Sequence, residues 1–446
     1  MAGARNNQEA SMGKRWGLLS AGIAMMLALT TGISWGEEEE PCKAPPEWFP
    51  KVSDETIKTL FELKRESSDE CSFYQWSFAT FLYVMEARDG GSPRFKNYDS
   101  FASLFHVPLS PAAPKADVNI LSLSPRLQQQ DNGADEFDGI SQAGLNGVLV
   151  DRFGHPVFYA MHFNGDYKNF VVSNGFLDKE KLKKDGVNAI FPTGALELKS
   201  SWMLKPAQMT DAEFASRYLT VDASVASLKT DANGKIVLDP LHPILTKVGL
   251  LGLHVVGVVD DHPEFIWASF EHNGNAPLKV PEEDAGSANP VDPNTDYNLY
   301  KAGTSYRDSN PVPKVTPLVL AEDGTLSPTT SIYRAYYLGG DAAEDPAVAD
   351  LNESAKSQLP KDSVLQNYKM IGAVWLKNRS DFIVDTDFED DNKLVGEKKM
   401  SNTSMESFTQ VSRPNCFSCH DTTAKRFMPA STLGISHALE KFLGLP

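Results

Sequence analysis

The sequence has few cysteines: four among 446 residues, at positions 42, 71, 416 and 419. That is too sparse for a disulfide-built scaffold, and no second C-x-x-C is present to complete a four-cysteine zinc site. Basic residues are outnumbered, 42 Lys and Arg against 59 Asp and Glu, giving a net charge of −17. Such a surface repels nucleic acid and anionic lipid, so neither is expected as a partner. It suits a basic partner protein, and it equally suits a chain that is simply soluble. Long apolar runs are missing after residue 36, so no later segment is expected to cross a bilayer as a helix. No internal repeat occurs, which argues against a solenoid.

The first 36 residues read as an export signal. Lys14 and Arg15 precede an uncharged apolar run from Trp16 to Trp35, and Ser34-Trp35-Gly36 offers small residues for cleavage before Glu37. Removing this segment takes away Arg5, Lys14, Arg15 and Glu9, leaving a mature charge near −19. The expected location is periplasmic, with no membrane contact after cleavage. The run also approaches the length of a membrane span, so an uncleaved anchor is the alternative. In an oxidising compartment Cys42 and Cys71 are expected to pair, tying the mature N-terminus to the first long helix. Two buried free thiols are the other reading.

The remaining residues divide into a body, 37–400, and a C-terminal segment, 401–446. Residues 37–47 are acidic and proline-bearing, a tether by composition. Ile57, Leu60 and Leu63 share one face of a helix over 52–66. Ser68 or Asp69 can cap a second helix over Cys71–Met85, apolar all round and therefore expected to be buried. From about residue 137 the period becomes that of strands. Gly147–Val150 and Pro156–Phe163 read as a hairpin around Asp151–Gly154. Ala195–Leu204, Leu253–Val259, Glu264–His272, Ser331–Leu338 and Ile371–Leu376 read as further strands. Residues 341–366 read as short helices. In the polar loop 281–314, Asp292, Asn294 and Asp296 lack the glycine and closing glutamate of a calcium loop. The fold class is therefore α+β: a β-rich body with N-terminal helices and a short C-terminal segment packed on it.

That segment carries Cys416-Phe417-Ser418-Cys419-His420, a C-x-x-C-H motif. Two cysteines three apart on one turn can both reach the vinyl carbons of a haem, and the next residue brings an imidazole to the iron. The spacing predicts one covalent haem c held by Cys416 and Cys419, with His420 as axial ligand. A thioredoxin-like pair needs a strand–helix setting that is not evident here. A zinc site would need Cys416, Cys419, His420 and His437 together. Only Asp421–Pro446 follows the motif, too little to wrap a haem, so the body is expected to cover the other haem face. Residues 411–446 are basic, Arg413, Lys425, Arg426 and Lys441 against Asp421 and Glu440, and suit docking on an acidic body. For the sixth ligand the candidates are His437, 17 residues on, Met428, eight residues on, a group from the body, or none. His437 reads equally as the start of a helix at Ser436-His437-Ala438-Leu439.

Glu197, Lys199, Trp202, His254, Glu271 and His272 fall on the expected strands. Glu197 and Lys199 fit the solvent face of a half-buried sheet, and His254 fits a hydrogen-bonded core histidine. Gathered at a haem edge, the same groups would make a proton-donating substrate site.

Several segments, with the haem motif, resemble a family of exported bacterial cytochrome c family proteins. They are Cys71-Ser72-Phe73-Tyr74-Gln75-Trp76, residues 194–202 from Gly194 to Trp202, Trp267-Ala268-Ser269-Phe270-Glu271-His272, residues 402–410 from Asn402 to Gln410, and Ser436-His437. The resemblance implies haem binding and electron transfer with a redox partner protein, and names no substrate. The reading is a periplasmic monohaem electron-transfer protein. A haem-dependent oxidoreductase with a substrate site between body and haem is the alternative.

Overall fold

The computed structural model describes residues 41–64, 69–87, 91–106, 121–123, 147–232, 234, 236–279, 283–311, 317–335, 345–388, 390–423 and 429–444, within one compact unit that begins at Pro41. The expected signal segment, Met428, Lys425 and Arg426 lie outside the described residues. Among the described residues no helix is long and apolar enough to cross a membrane.

The elements in chain order are α1 (Asp54–Phe61), α2 (Glu70–Met85), β1 (Asp99–Ser100), α3 (Phe101–Leu104), β2 (Leu121–Leu123), β3 (Phe158–Phe163), α4 (Gly165–Ser173), α5 (Lys179–Asp185) and β4 (Leu196–Leu204). There follow α6 (Asp211–Arg217), β5 (Thr220–Thr230), β6 (Ile236–Gly257), β7 (Ile266–His272), β8 (Val319–Leu320), β9 (Leu326–Ser327), α7 (Pro346–Gln358), β10 (Tyr368–Leu376), β11 (Leu394–Gly396) and α8 (His437–Leu443). The fold is α+β. A nine-stranded sheet runs β1-β3-β4-β6-β7-β10-β11, with β5 on β6 and β2 on β5. All its pairings are antiparallel except β2 with β5.

Helix α2 covers one face of this sheet. Asp69 caps it by accepting from the Ser72 amide at 2.8 Å. Having no polar stripe, it can be stable only when enclosed. Phe73, Tyr74, Trp76, Phe78 and Phe81 are buried in one core with Leu196, Leu198, Trp202, Leu253, Val255, Ala268 and Phe270. Phe81 stacks on Phe270 with centroids 4.3 Å apart. Each such side chain contributes about 1.5–3 kcal/mol on burial. The hydroxyls of Ser77 and Thr80 donate to the carbonyls one turn back, at 2.8 and 2.7 Å, whereas the buried Trp76 Nε1 makes no hydrogen bond. Gly257 is obligatory in this packing, because a Cβ there would lie 2.7 Å from the Trp76 ring.

The opposite face is covered by the C-terminal segment. Phe417, Leu433, Ile435, Ala438 and Leu439 share a core with Phe163, Tyr167, Phe191, Val256 and Trp267. The described residues of 401–444 thus use the sheet as their core.

Several expectations change. Cys42 and Ala44 are buried, so the described part of 37–47 is packed and not a tether. The expected pairing of Cys42 with Cys71 is present as a disulfide. The alternation in β4 does not mark a solvent face: Glu197 is buried, because α2 and the C-terminal segment enclose the sheet from both sides. Strand β6 begins at Ile236, well before Leu253, and pairs with β5, which the sequence did not suggest. Among the described part of Ser331–Leu338 there is one isolated bridge, Arg334 to Leu278, and no strand. Residues 346–358 form one helix. The loop acid Asp292 accepts from the amides of Asn294 and Thr295, both at 2.9 Å, as a turn-forming side chain.

Candidate functional site

The haem-type motif sits on a single tight turn. Residues Cys416–Ser418 form a 3-10 helix whose start is capped by Asn415, which accepts from the Ser418 amide at 3.2 Å. The His420 amide donates to the Cys416 carbonyl at 2.9 Å. Local hydrogen bonding therefore places Cys416, Cys419 and His420 on one turn, and neither cysteine is in a disulfide. Phe417 points into the core and anchors the turn.

His420 is held on several sides. Its Nδ1 lies 2.8 Å from the Ile435 carbonyl oxygen. A carbonyl can only accept, so Nδ1 carries the proton and the lone pair belongs to Nε2. The Trp267 ring from β7 lies 3.9 Å from the imidazole, centroid to centroid. The His437 ring stacks on it at 3.5 Å and 24°. His437 itself opens α8, and its Nε2 donates to the Cys419 carbonyl at 3.3 Å.

Arg413 donates from Nη1 to the Cys419 sulfur and to the Ser418 carbonyl, each at 3.1 Å. The Cys416 thiol is pushed well above its ordinary range, first by burial and then by the Glu406 carboxylate and Cys419. A thiolate there is disfavoured, whereas a neutral sulfur, as in a thioether, tolerates the site. Among the described residues no three His, Cys, Asp or Glu side chains converge as metal ligands.

The loop before the motif is pinned to the sheet by its own polar side chains. Asn402 donates to Ser269 Oγ at 3.2 Å and to the Phe270 carbonyl at 3.0 Å. Ser404 and Ser201 share a 2.7 Å hydrogen bond, and Tyr159 donates to the Ser404 carbonyl at 2.7 Å. A Cβ at Gly252 would stand 2.6 Å from Ser404 Oγ, so the loop comes this close only because glycine is there. Ser401 donates to the Arg413 and Pro414 carbonyls at 2.9 and 3.1 Å, joining loop to motif.

The strand polar groups divide. His254 Nε2 lies 3.3 Å from Glu406 Oε1. Burial would raise Glu406, but His254, Lys199 and the Asn402 amide bring it below the usual carboxylate range. Glu406 and Lys199 are also close enough to act electrostatically on Cys416. Glu197 donates nothing: its Oε2 accepts from Ser436 Oγ at 2.7 Å. Burial pushes Glu197 up to about 7 against the pull of Ser436 and Lys199. Glu271 is ion-paired with Arg334 and hydrogen-bonded to Thr403. Trp202 and His272 are elsewhere. Trp202 Nε1 donates to Ser200 in the α2 core, and His272 stacks on Tyr218 and donates to the Arg217 carbonyl at 3.0 Å.

Trp267, Arg413, Glu406 and the Ile435 carbonyl are not among the site residues expected from the sequence, where Arg413 enters only as part of the basic tail and Trp267 only within a resembling segment. Trp267 could be placed only by knowing which strand the motif covers. A groove of about 380 Å³ between Trp48–Val52, the end of α2, Leu359, Pro360 and Ser363–Leu365 contains none of the motif residues. Comparison of the chain with protein-family models, curated proteins and solved structures gives no match.

Proposed function

We propose that this chain is an exported, periplasmic c-type cytochrome that carries one covalent haem on Cys416, Cys419 and His420 and passes single electrons to a redox partner protein. The observation that carries the reading is the hydrogen bond from His420 Nδ1 to the Ile435 carbonyl. It fixes the tautomer whose Nε2 is a metal-binding nitrogen, and a backbone carbonyl makes that nitrogen more basic. The helical turn supports it further by presenting both cysteines with the histidine.

When bound, the haem would supply a one-electron redox couple. The chain's own residues do the rest. Phe417 and Ser401 hold the turn against the sheet, and Trp267 and His437 fix the plane of the His420 ring. His437 is assigned here to that packing. The acidic surface suits a basic partner.

A second reading is favoured by the His254–Glu406 pair and Lys199 beside Cys416: a haem-dependent oxidoreductase that donates protons from this group to a substrate. Expression in a host that matures c-type haem separates the readings. Covalent haem with low-spin iron that ignores carbon monoxide supports electron transfer. Covalent haem with high-spin iron that binds carbon monoxide supports the oxidoreductase. A colourless, unmodified polypeptide would refute both.

A further inference from the structure

Beneath the stacked histidines lies a short buried chain of hydroxyl and carboxyl groups that the electron-transfer reading does not use. Glu197 on β4 is 4% exposed and its Oε2 accepts from Ser436 Oγ at 2.7 Å. The Tyr167 hydroxyl from α4 lies 2.8 Å from the same Ser436 oxygen, and both Tyr167 and Ser436 are fully buried. Ser436 immediately precedes His437, whose ring is stacked on His420. The carboxyl is therefore one hydrogen bond from Ser436, the residue before His437, whose ring is stacked on that of His420.

Its surroundings do not fix its charge. The titratable groups on the same face are Tyr167 from α4, Lys199 from β4, His254 from β6, and His437 and Glu440 from α8. His254 is engaged with Glu406, and His437 lies 3.6 Å from Glu440. Lys199 eases the ionised form and Ser436 hydrogen-bonds to it, while burial opposes it. A buried carboxyl in that balance changes protonation when a nearby charge changes by one unit.

We propose that Glu197 is the proton-accepting partner of the haem site, taking up one proton from solvent when one electron arrives from a donor protein and releasing it on reoxidation. The electron goes to the iron, the proton forms an O–H bond on the Glu197 carboxylate, and the local charge is unchanged overall. The inference rests on the haem reading and adds regulation by pH to it.

The experiment is a potentiometric titration of the haem-loaded protein between about pH 5 and about pH 9, beside redox-difference infrared spectra. The midpoint potential falls as pH rises, because ionised Glu197 stabilises oxidised iron. A protonated-carboxyl band appears on reduction. Glu197→Gln abolishes both signals. Ser436→Ala, which removes a hydrogen bond to the ionised form, moves the transition to higher pH and controls for misfolding of the first variant. A haem-loaded wild type with a pH-independent potential overturns the inference and leaves the haem reading intact. So does a slope that survives Glu197→Gln. Absence of haem removes both.

Discussion

The imidazoles of His420 and His437 lie face to face, 3.5 Å between centroids and 24° from parallel. One belongs to the haem-type turn and the other opens α8, so this contact locks the motif to the last helix of the chain. It also gives His437 a role that can be tested. His437→Ala is expected to retain covalent haem and the spin state of the iron, with a stability loss of about 1 kcal/mol from the missing ring contact. Electron paramagnetic resonance of the variant checks this. A change from low to high spin would instead place His437 on the iron.

Haem attachment should depend on the motif in a graded way. Cys416→Ser with Cys419→Ser is expected to leave a polypeptide that loses all haem on denaturation, since no thioether can form. His420→Ala with both cysteines intact is expected to keep some covalent haem but lose the wild-type axial spectrum. Mass spectrometry of the denatured chains, with absorption spectra of the native ones, separates the two.

Arg334 and Glu271 form a buried ion pair under the 401–410 loop, and Arg334 also donates to the Ser401 carbonyl at 3.0 Å. Arg334→Met leaves the Glu271 carboxylate buried with Thr403. It is expected to cost about 3–5 kcal/mol in urea denaturation, and to loosen the motif by freeing the loop.

The Cys42–Cys71 disulfide closes a separation of 29 residues. Loop-closure entropy for that length corresponds to roughly 3–4 kcal/mol. Reduction, or Cys42→Ser with Cys71→Ser, should lower the urea midpoint by a matching amount. An unchanged midpoint would mean that the packing of Trp48 and Val52 alone holds the N-terminal segment.

Glu197 should leave a signature in the pH dependence of stability. Its folded-state pKa is raised from 4.5 to about 7, first by burial. Between those values the native state binds more protons than the unfolded state, so stability falls as pH rises and levels off above the folded pKa. His162, lowered to about 4 by burial and then by Lys96, works the opposite way. The unfolded state binds the extra proton, so stability falls as pH drops from 6.5 toward 4. Glu197→Gln should therefore be more stable than wild type near pH 8 and lose that advantage toward pH 4.5. A constant difference would contradict the shift.

Much of the architecture is legible in the residues. Asp69 and the apolar residues almost all round 71–85 announce a buried helix, and α2 is one. The strands at β4, β7 and β10 follow from their β-rich runs. Glu197 was misread because alternation tells which residues share a face, not whether that face meets water. The β5–β6 ribbon escaped notice because Pro240 and Pro243 interrupt its pattern. Ser331–Leu338 reads as a strand from composition, but among its described residues Arg334 makes one isolated bridge, to Leu278.

By itself the sequence determined what local chemistry dictates: the C-x-x-C-H spacing, the cap at Asp69, and the α+β character of the chain. Those depend on residues a few positions apart. Tertiary structure alone decided that the Ile435 carbonyl meets His420, that Trp267 lies against the same ring, and that Glu197 is enclosed beside Ser436. These partners are 15, 153 and 239 positions apart in the chain. Their meeting depends on how the C-terminal segment folds back over the sheet, which no periodicity encodes.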